Sequence, residues 1–355
     1  MTRYLVTGGC GFVGAAICRG LRNLQPDAKI TSFDNLRRRG SETNISQLKD
    51  AGVVIAHGDI RVASDLEELG GDFDVVIDAA AEPSVHAGTM GSPRYVIDTN
   101  LGGTVNLLEF ARRRASTFVL LSTSRVYAID SLRSIRTREG KARLEIADTQ
   151  TLPGVGIDGI NEDFPTTGAR SYYGASKLAS ELIAQEYAAA TDLGVIINRC
   201  GVLAGAGQFG KVDQGVIALW VAAHVYNRPL KYIGFGGTGK QVRDVMHPDD
   251  LLALTLRQID IAPAITGRVF NVGGGLPTSV SLQELTTLCR ERTGGSVDIA
   301  PVPETSSVDV PVYITDTTRV REATGWAPSR DAAAIVDDIA TWIEGDVDRL
   351  RPIFG

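Results

Sequence analysis

Apolar residues in the first half of the chain come in short, nearly continuous runs. They fall at residues 4–7, 30–34, 53–57, 75–79, 118–122 and 195–198 and are rich in Val and Ile. Such runs predict strands covered on both faces, as in a parallel sheet. Between them, apolar positions recur at helical spacing over 12–24, 45–50, 62–69, 100–114 and 176–190. Strand–helix alternation of this kind implies right-handed crossovers and an α/β, doubly wound parallel sheet.

After Cys200 the texture changes. Glycines crowd 201–215 and 234–239, and short strands are expected at 230–233 and 269–272. Ser281 and Glu284 have capping-box spacing before a helix reaching about Arg292. A last helix is expected over 332–342. This second part predicts a smaller C-terminal α+β lobe. The expected division gives one domain 1–200, plus a returning segment near 240–275, and gives the lobe 201–239 and 276–355. Residues 128–163 are the least regular stretch and predict a long excursion, a flap or a partner contact.

Composition narrows the classes. The chain has 355 residues, 39 of them glycine, with 6% aromatic residues and a formal net charge of −6. A mildly acidic chain lacks the electrostatic footprint of a nucleic-acid binder, so no nucleic-acid partner is expected. No run approaches the roughly 20 apolar residues of a membrane span. The first residues enter a strand and a glycine turn directly, unlike a secretory leader. Cys10, Cys18, Cys200 and Cys289 are far apart and lack metal spacing. No metal site is expected, and a reducing cytoplasm fits better than an oxidising compartment.

The chemistry begins at Gly8-Gly9-Cys10-Gly11-Phe12-Val13-Gly14, between the first strand and the first helix. Gly8, Gly11 and Gly14 give the G-x-x-G-x-x-G spacing of a dinucleotide turn: a tight bend, close approach of a pyrophosphate, and close helix–strand packing. The following helix N-terminus, at Phe12 and Val13, offers free N–H groups to phosphate. Asp34, at the end of the second strand, suits both ribose hydroxyls and repels a 2′-phosphate, which favours NAD over NADP. Arg37, Arg38 and Arg39 either accommodate that phosphate or form a solvated basic loop. Asn35 is grouped with Asp34. Asp59 and Ile60 either flank the adenine or simply end a strand. Ala79, Ala80 and Ala81 either admit the cofactor backbone or pack the sheet, and Asn100 completes the expected cofactor set.

Tyr173 and Lys177 form Y-x-x-x-K, which places phenol and ammonium on one helix face. A nearby cation lowers a phenol pKa, so the phenolate can take a proton from an alcohol while hydride leaves the same carbon. Tyr172 has no lysine at that spacing. Thr123, at the end of the fifth strand, is the hydroxyl expected to orient the reacting oxygen, with Ser124 the alternative and a substrate contact.

Together Gly8/Gly11/Gly14, Asp34, Thr123 and Tyr173/Lys177 resemble the extended short-chain dehydrogenase/reductases, the NAD-dependent epimerase/dehydratase family, over nearly the whole chain. The resemblance implies a Rossmann domain holding NAD tightly, catalysis by Thr123, Tyr173 and Lys177, and a C-terminal lobe that binds a nucleotide-sugar. The run Gln241-Val242-Arg243-Asp244 to Asp249-Asp250 resembles the family segment in which Arg243 contacts the diphosphate. The acidic pair there structures the next helix. Within the family, Thr7–Phe12, Phe33–Leu36, His57–Arg61, Gln208-Phe209, Asp213–Gly215 and Gly239–Asp244 are similar to the CDP-paratose 2-epimerases. That similarity implies a CDP-sugar substrate, epimerisation at C2 and a contact from Gln208. Ala128 after Tyr127, the run 199–204, and Glu82-Pro83-Ser84-Val85-His86 depart from the pattern, which leaves sugar and nucleobase open. Dehydratases of the family carry an acid–base carboxylate, commonly an Asp-Glu pair, beside the catalytic hydroxyl. Here Ser124-Arg125 stand in that place. The resemblance also implies a homodimer built from helices 100–114 and 176–190. Gly201, Gly205, Gly207 and Gly210 are expected as backbone beside the substrate.

Overall fold

Seven strands run in parallel through the centre of the molecule. The computed structural model describes residues 1–38, 40–209 and 215–354. From one edge to the other the strands are Val54–His57, Lys29–Asp34, Arg3–Thr7, Val75–Asp78, Thr117–Thr123, Gly194–Cys200 and Val269–Val272. Every pairing in this sheet is parallel. The order reverses between Arg3–Thr7 and Val75–Asp78, so a crevice opens there at the carboxyl ends of the strands. All seven residues of Thr117–Thr123 are buried, which explains its unbroken apolar reading.

Helices cover both faces. Phe12–Leu24 buries Ala15, Ile17, Cys18 and Leu21 against the sheet. On its outer side it meets Pro248–Asp260, and a Cβ added at Gly20 would lie 2.3 Å from Leu252 Cδ2. On the other face Gly103–Arg114 and Tyr172–Ala190 pack together. The helix expected over 100–114 is longer and interrupted. Arg94–Ile97 leads into a π turn, Asp98–Gly102, and only then into Gly103–Arg114. A π turn takes more residues than an α turn, so it breaks the 3.6-residue spacing by which one continuous helix is read. The helix expected over 176–190 starts earlier, at Tyr172, because the Ser171 hydroxyl accepts the Gly174 N–H at 3.1 Å and caps it.

A four-stranded sheet lies beyond the carboxyl ends. Val242–Met246 pairs with Val202–Leu203, Ser279–Ser281 and Val312–Tyr313. Thus, within 240–275, the last strand joins the main sheet while Val242–Met246 belongs to the small one. Leu230–Ile233 pairs with Ile299–Val302. Helices Val216–Val225, Leu282–Thr293 and Ala332–Glu344 share a core containing Trp220, Leu285 and Ile339. The Ser281/Glu284 capping box is present, with bonds of 3.0 and 2.8 Å.

Residues 128–163 are packed rather than loose. They hold the short helix Ile129–Arg133 and two hairpins, Thr137–Glu139 with Leu144–Ile146 and Val155–Gly156 with Gly159–Ile160. Leu132, Ile135, Ile146 and Ile160 are buried with Val312, Tyr313 and Ile314. Their partners lie far along the chain, so local sequence reads as irregular. Among the described residues, no helix is long and apolar enough to cross a membrane.

Candidate active site

A cavity of about 1290 Å³ runs from the glycine turn to the second lobe. Gly8 opens it at φ +62°, and a Cβ there would lie 2.8 Å from the Ala79 carbonyl oxygen. A Cβ on Gly14 would come within 2.2 Å of the Gly8 carbonyl oxygen. The strand, turn and helix therefore close only around glycine. Gly11, Phe12 and Val13 line the same wall, where the helix starts.

Asp34 stands over this turn. Its carboxylate accepts the Cys10 N–H at 3.0 Å and the Leu36 N–H at 2.8 Å, one on each oxygen, which leaves lone pairs for hydroxyls. Asn35 and Ile60 also line the cavity. Asp59 is held differently: Arg61 and Asn35 bind its carboxylate at 2.6 and 2.9 Å, and the Arg61 bond brings its pKa down to about 2. Its side chain is absent from the cavity wall among the described residues. Arg37 is turned onto the Tyr95 ring, 4.1 Å from the centroid. Arg39 lies outside the described residues.

Ala79, Ala80 and Ala81 follow the end of their strand and line the cavity. Asn100, expected at the cofactor, is fully buried behind that wall. Its amide accepts the Glu82 N–H at 2.8 Å, donates to the Glu82 carbonyl at 3.1 Å and to Ser176 Oγ at 3.1 Å. It clamps the loop after the alanines to the helix bearing Tyr173 and so positions the wall.

Thr123, Tyr173 and Lys177 converge on the cavity from a strand end and a helix start. Burial pushes the Tyr173 phenol up to about 12, while the Thr123 hydrogen bond and the Arg125 charge pull it down. Lys177 is buried, and its Nζ has no hydrogen-bond partner among the described residues. Burial lowers its pKa, opposed by the Asp78 and Glu181 carboxylates. An orphaned ammonium on the helix that carries Tyr173, lining a cavity that begins at a dinucleotide turn, fits the ribose hydroxyls of a dinucleotide. The glycine cradle and Asp34 fit the other end, so these residues suit NAD.

Ser124, Gln208 and Arg243 line the far part. Gln208 donates to the Leu203 carbonyl at 2.9 Å, and its Oε1 is buried without a partner among the described residues. Arg243 is already engaged: it donates to Asp309 at 2.8 Å, to the Val310 carbonyl at 2.7 Å and to the Val242 carbonyl at 2.8 Å. Its ion-pair partner is Asp309, whereas Asp244 is buried and accepts the Gly275 N–H at 3.0 Å. Gly201 and Gly207 line the cavity, and Gly205 is not among its lining residues. Gly210, Asp213 and Gln214 lie outside the described residues. Sequence reasoning gave no role to Glu82 or Arg125, both of which line the cavity within electrostatic reach of Tyr173. The one available signal was the position of Arg125, two residues after Thr123.

Comparison with known proteins agrees with this arrangement. Over 348 residues the chain is 30% identical to CDP-paratose 2-epimerase of Salmonella typhi, covering 96% of this chain and 98% of that protein. It is 29% identical to dTDP-glucose 4,6-dehydratase of Streptomyces griseus, covering 96% and 94%. A solved UDP-glucuronic acid 4-epimerase from Bacillus cereus, in complex with UDP-glucuronic acid and NAD, superposes with a TM-score of 0.78. At 21% identity it covers 97% of this chain and 99% of its own, which shows a common fold. Residues 4–273 match the NAD dependent epimerase/dehydratase family. With that match and this site, the chain belongs to the NAD dependent epimerase/dehydratase family, and its cofactor is NAD.

Proposed function

We propose that the protein is a nucleotide-sugar epimerase that holds NAD tightly and inverts C2 of a CDP-sugar. The observation that carries this reading is the makeup of the strand end beside Tyr173. Thr123 is followed by a hydroxyl and a guanidinium, Ser124 and Arg125, both on the cavity wall. Neither supplies the acid–base carboxylate that a 4,6-elimination uses at this place. Thr123, Tyr173 and Lys177 then supply chemistry for moving one proton: a hydroxyl that orients its partner, a phenol and an ammonium.

Tyr173 takes the proton of the sugar hydroxyl, and Thr123 holds the oxygen in line. When bound, NAD would supply the hydride acceptor and donor for the same carbon. Lys177, unpartnered among the described residues, binds ribose hydroxyls and favours the phenolate by its charge. Loss of proton and hydride turns the alcohol into a planar ketone. The ketone turns over in the pocket, receives hydride on its other face, and regains its proton from Tyr173. Net redox is zero, so one phenol serves both half-reactions. The choice of CDP and C2 rests on the similarity to the Salmonella typhi enzyme named above.

A cytoplasmic homodimer completes the proposal. Leu182 and Ile183 on Tyr172–Ala190 are exposed, as a helix face that meets a second copy would be. The test is a screen of CDP-, UDP-, GDP- and dTDP-sugars by NMR, with the copurifying dinucleotide identified. Epimer formation without added NAD supports the reading. A strict need for stoichiometric NAD, or sustained NADH consumption, contradicts it.

A further inference from the structure

Two guanidiniums line the cavity, and they are engaged unequally. Arg243 donates to three acceptors, the Asp309 carboxylate and the Val242 and Val310 carbonyls. Arg125, among the described residues, makes a single side-chain hydrogen bond, Nη1 to the Val308 carbonyl at 3.2 Å. A guanidinium carries five donors and no acceptor, so four stay open. None of its nitrogens is a buried orphan, and the residue lines the cavity.

The backbone aims this side chain. Thr123 Oγ1 accepts the Arg125 N–H at 3.2 Å and turns the chain at the strand end. The guanidinium therefore enters the cavity on the side of Thr123 and Tyr173. Burial and the neighbouring Arg243 charge lower its pKa to about 10, which still leaves a cation at neutral pH.

A role in holding the chain together is covered by others. The segment around Ser306–Val310 is tied down by Arg133, which donates to the Ser306 carbonyl at 2.6 Å and the Asp309 carbonyl at 2.9 Å, and by Arg243. The Val308 bond thus orients Arg125 more than it anchors the segment.

We propose that Arg125 grips the sugar of the substrate, donating to oxygens next to the reacting carbon. This rests on the nucleotide-sugar reading above. A ketone oxygen accepts but cannot donate, and a guanidinium donates but cannot accept. Arg125 therefore complements the oxidised sugar as well as the hydroxyl form, and it keeps a hold on a sugar that must turn over without escaping.

The test compares CDP with CDP-glucose by calorimetry on the NAD-loaded protein. Arg125→Gln is expected to weaken CDP-glucose about tenfold or more, the scale of a lost charged hydrogen bond, and to leave CDP within about twofold. Arg125→Lys, which keeps charge but loses the fork, is expected to fall between the wild type and Gln, and it serves as the readout if the Gln variant does not fold. Equal weakening of both ligands would assign Arg125 to the diphosphate or to the segment and overturn the proposal. Unchanged binding of both would overturn it while leaving the epimerase reading intact. A wild type that binds neither ligand would remove both.

Discussion

Glu181 and Arg199 form a buried ion pair, Oε2 to Nη2 at 2.7 Å, one helical turn after Lys177. Ser122, the neighbour of Thr123, donates to the same carboxylate at 2.5 Å. Arg199 also donates to the Tyr127 hydroxyl at 3.2 Å, which in turn donates to Asn271 at 2.7 Å. One carboxylate thus ties the helix of Tyr173 and Lys177 to two central strands, one of which ends in Thr123.

Removing that carboxylate leaves a guanidinium buried without its counter-ion. Glu181→Ala is expected to cost about 3–5 kcal/mol of stability, the scale for breaking a buried pair from one side. Denaturant unfolding checks this, and an unchanged midpoint would contradict it.

The glycine turn gives a second prediction. A methyl at Gly14 would sit 2.2 Å from the Gly8 carbonyl oxygen, so the helix must move off the strand. Gly14→Ala is expected to lose dinucleotide during purification, read by absorbance after heat extraction. Retention equal to the wild type would show that the close approach is not needed.

These two sites differ in how readable they were. The glycine spacing, Asp34 and the Tyr173/Lys177 pair are local patterns tied to a strand end or a helix start, and they meet in one cavity. Arg125 and Val308 meet across 183 positions, and Arg243 meets Asp309 across 66. No local pattern encodes such pairs. The burial of 128–163 was hidden for the same reason, because Val312, Tyr313 and Ile314 supply the other half of its core. The clamp made by Asn100 was equally hidden, because its partners Glu82 and Ser176 lie 18 and 76 positions away.

In the proposed mechanism Tyr173→Phe removes the group that accepts the proton and little else. Turnover should fall by about 10²–10⁴-fold, the usual weight of a general base, with NAD content and melting temperature unchanged. Turnover near the wild-type level would move the base elsewhere.

The pH dependence has a definite sign. In the proposed mechanism Tyr173 works as the phenolate, and burial raises its pKa to about 12. Activity should therefore rise as pH increases from neutral. The Thr123 hydrogen bond and the Arg125 charge both favour the phenolate, while Glu82 and Cys200 oppose it. Thr123→Val is expected to shift the rising limb of the kcat profile to higher pH. A shift to lower pH would contradict this arrangement.

In the proposed mechanism hydride leaves one carbon of the sugar and returns to the same carbon. A CDP-sugar deuterated at C2, converted in ordinary water without added NAD, tests it directly by NMR. The account predicts that the epimer keeps its deuterium at C2. Loss of deuterium to solvent at C2 during inversion would contradict it.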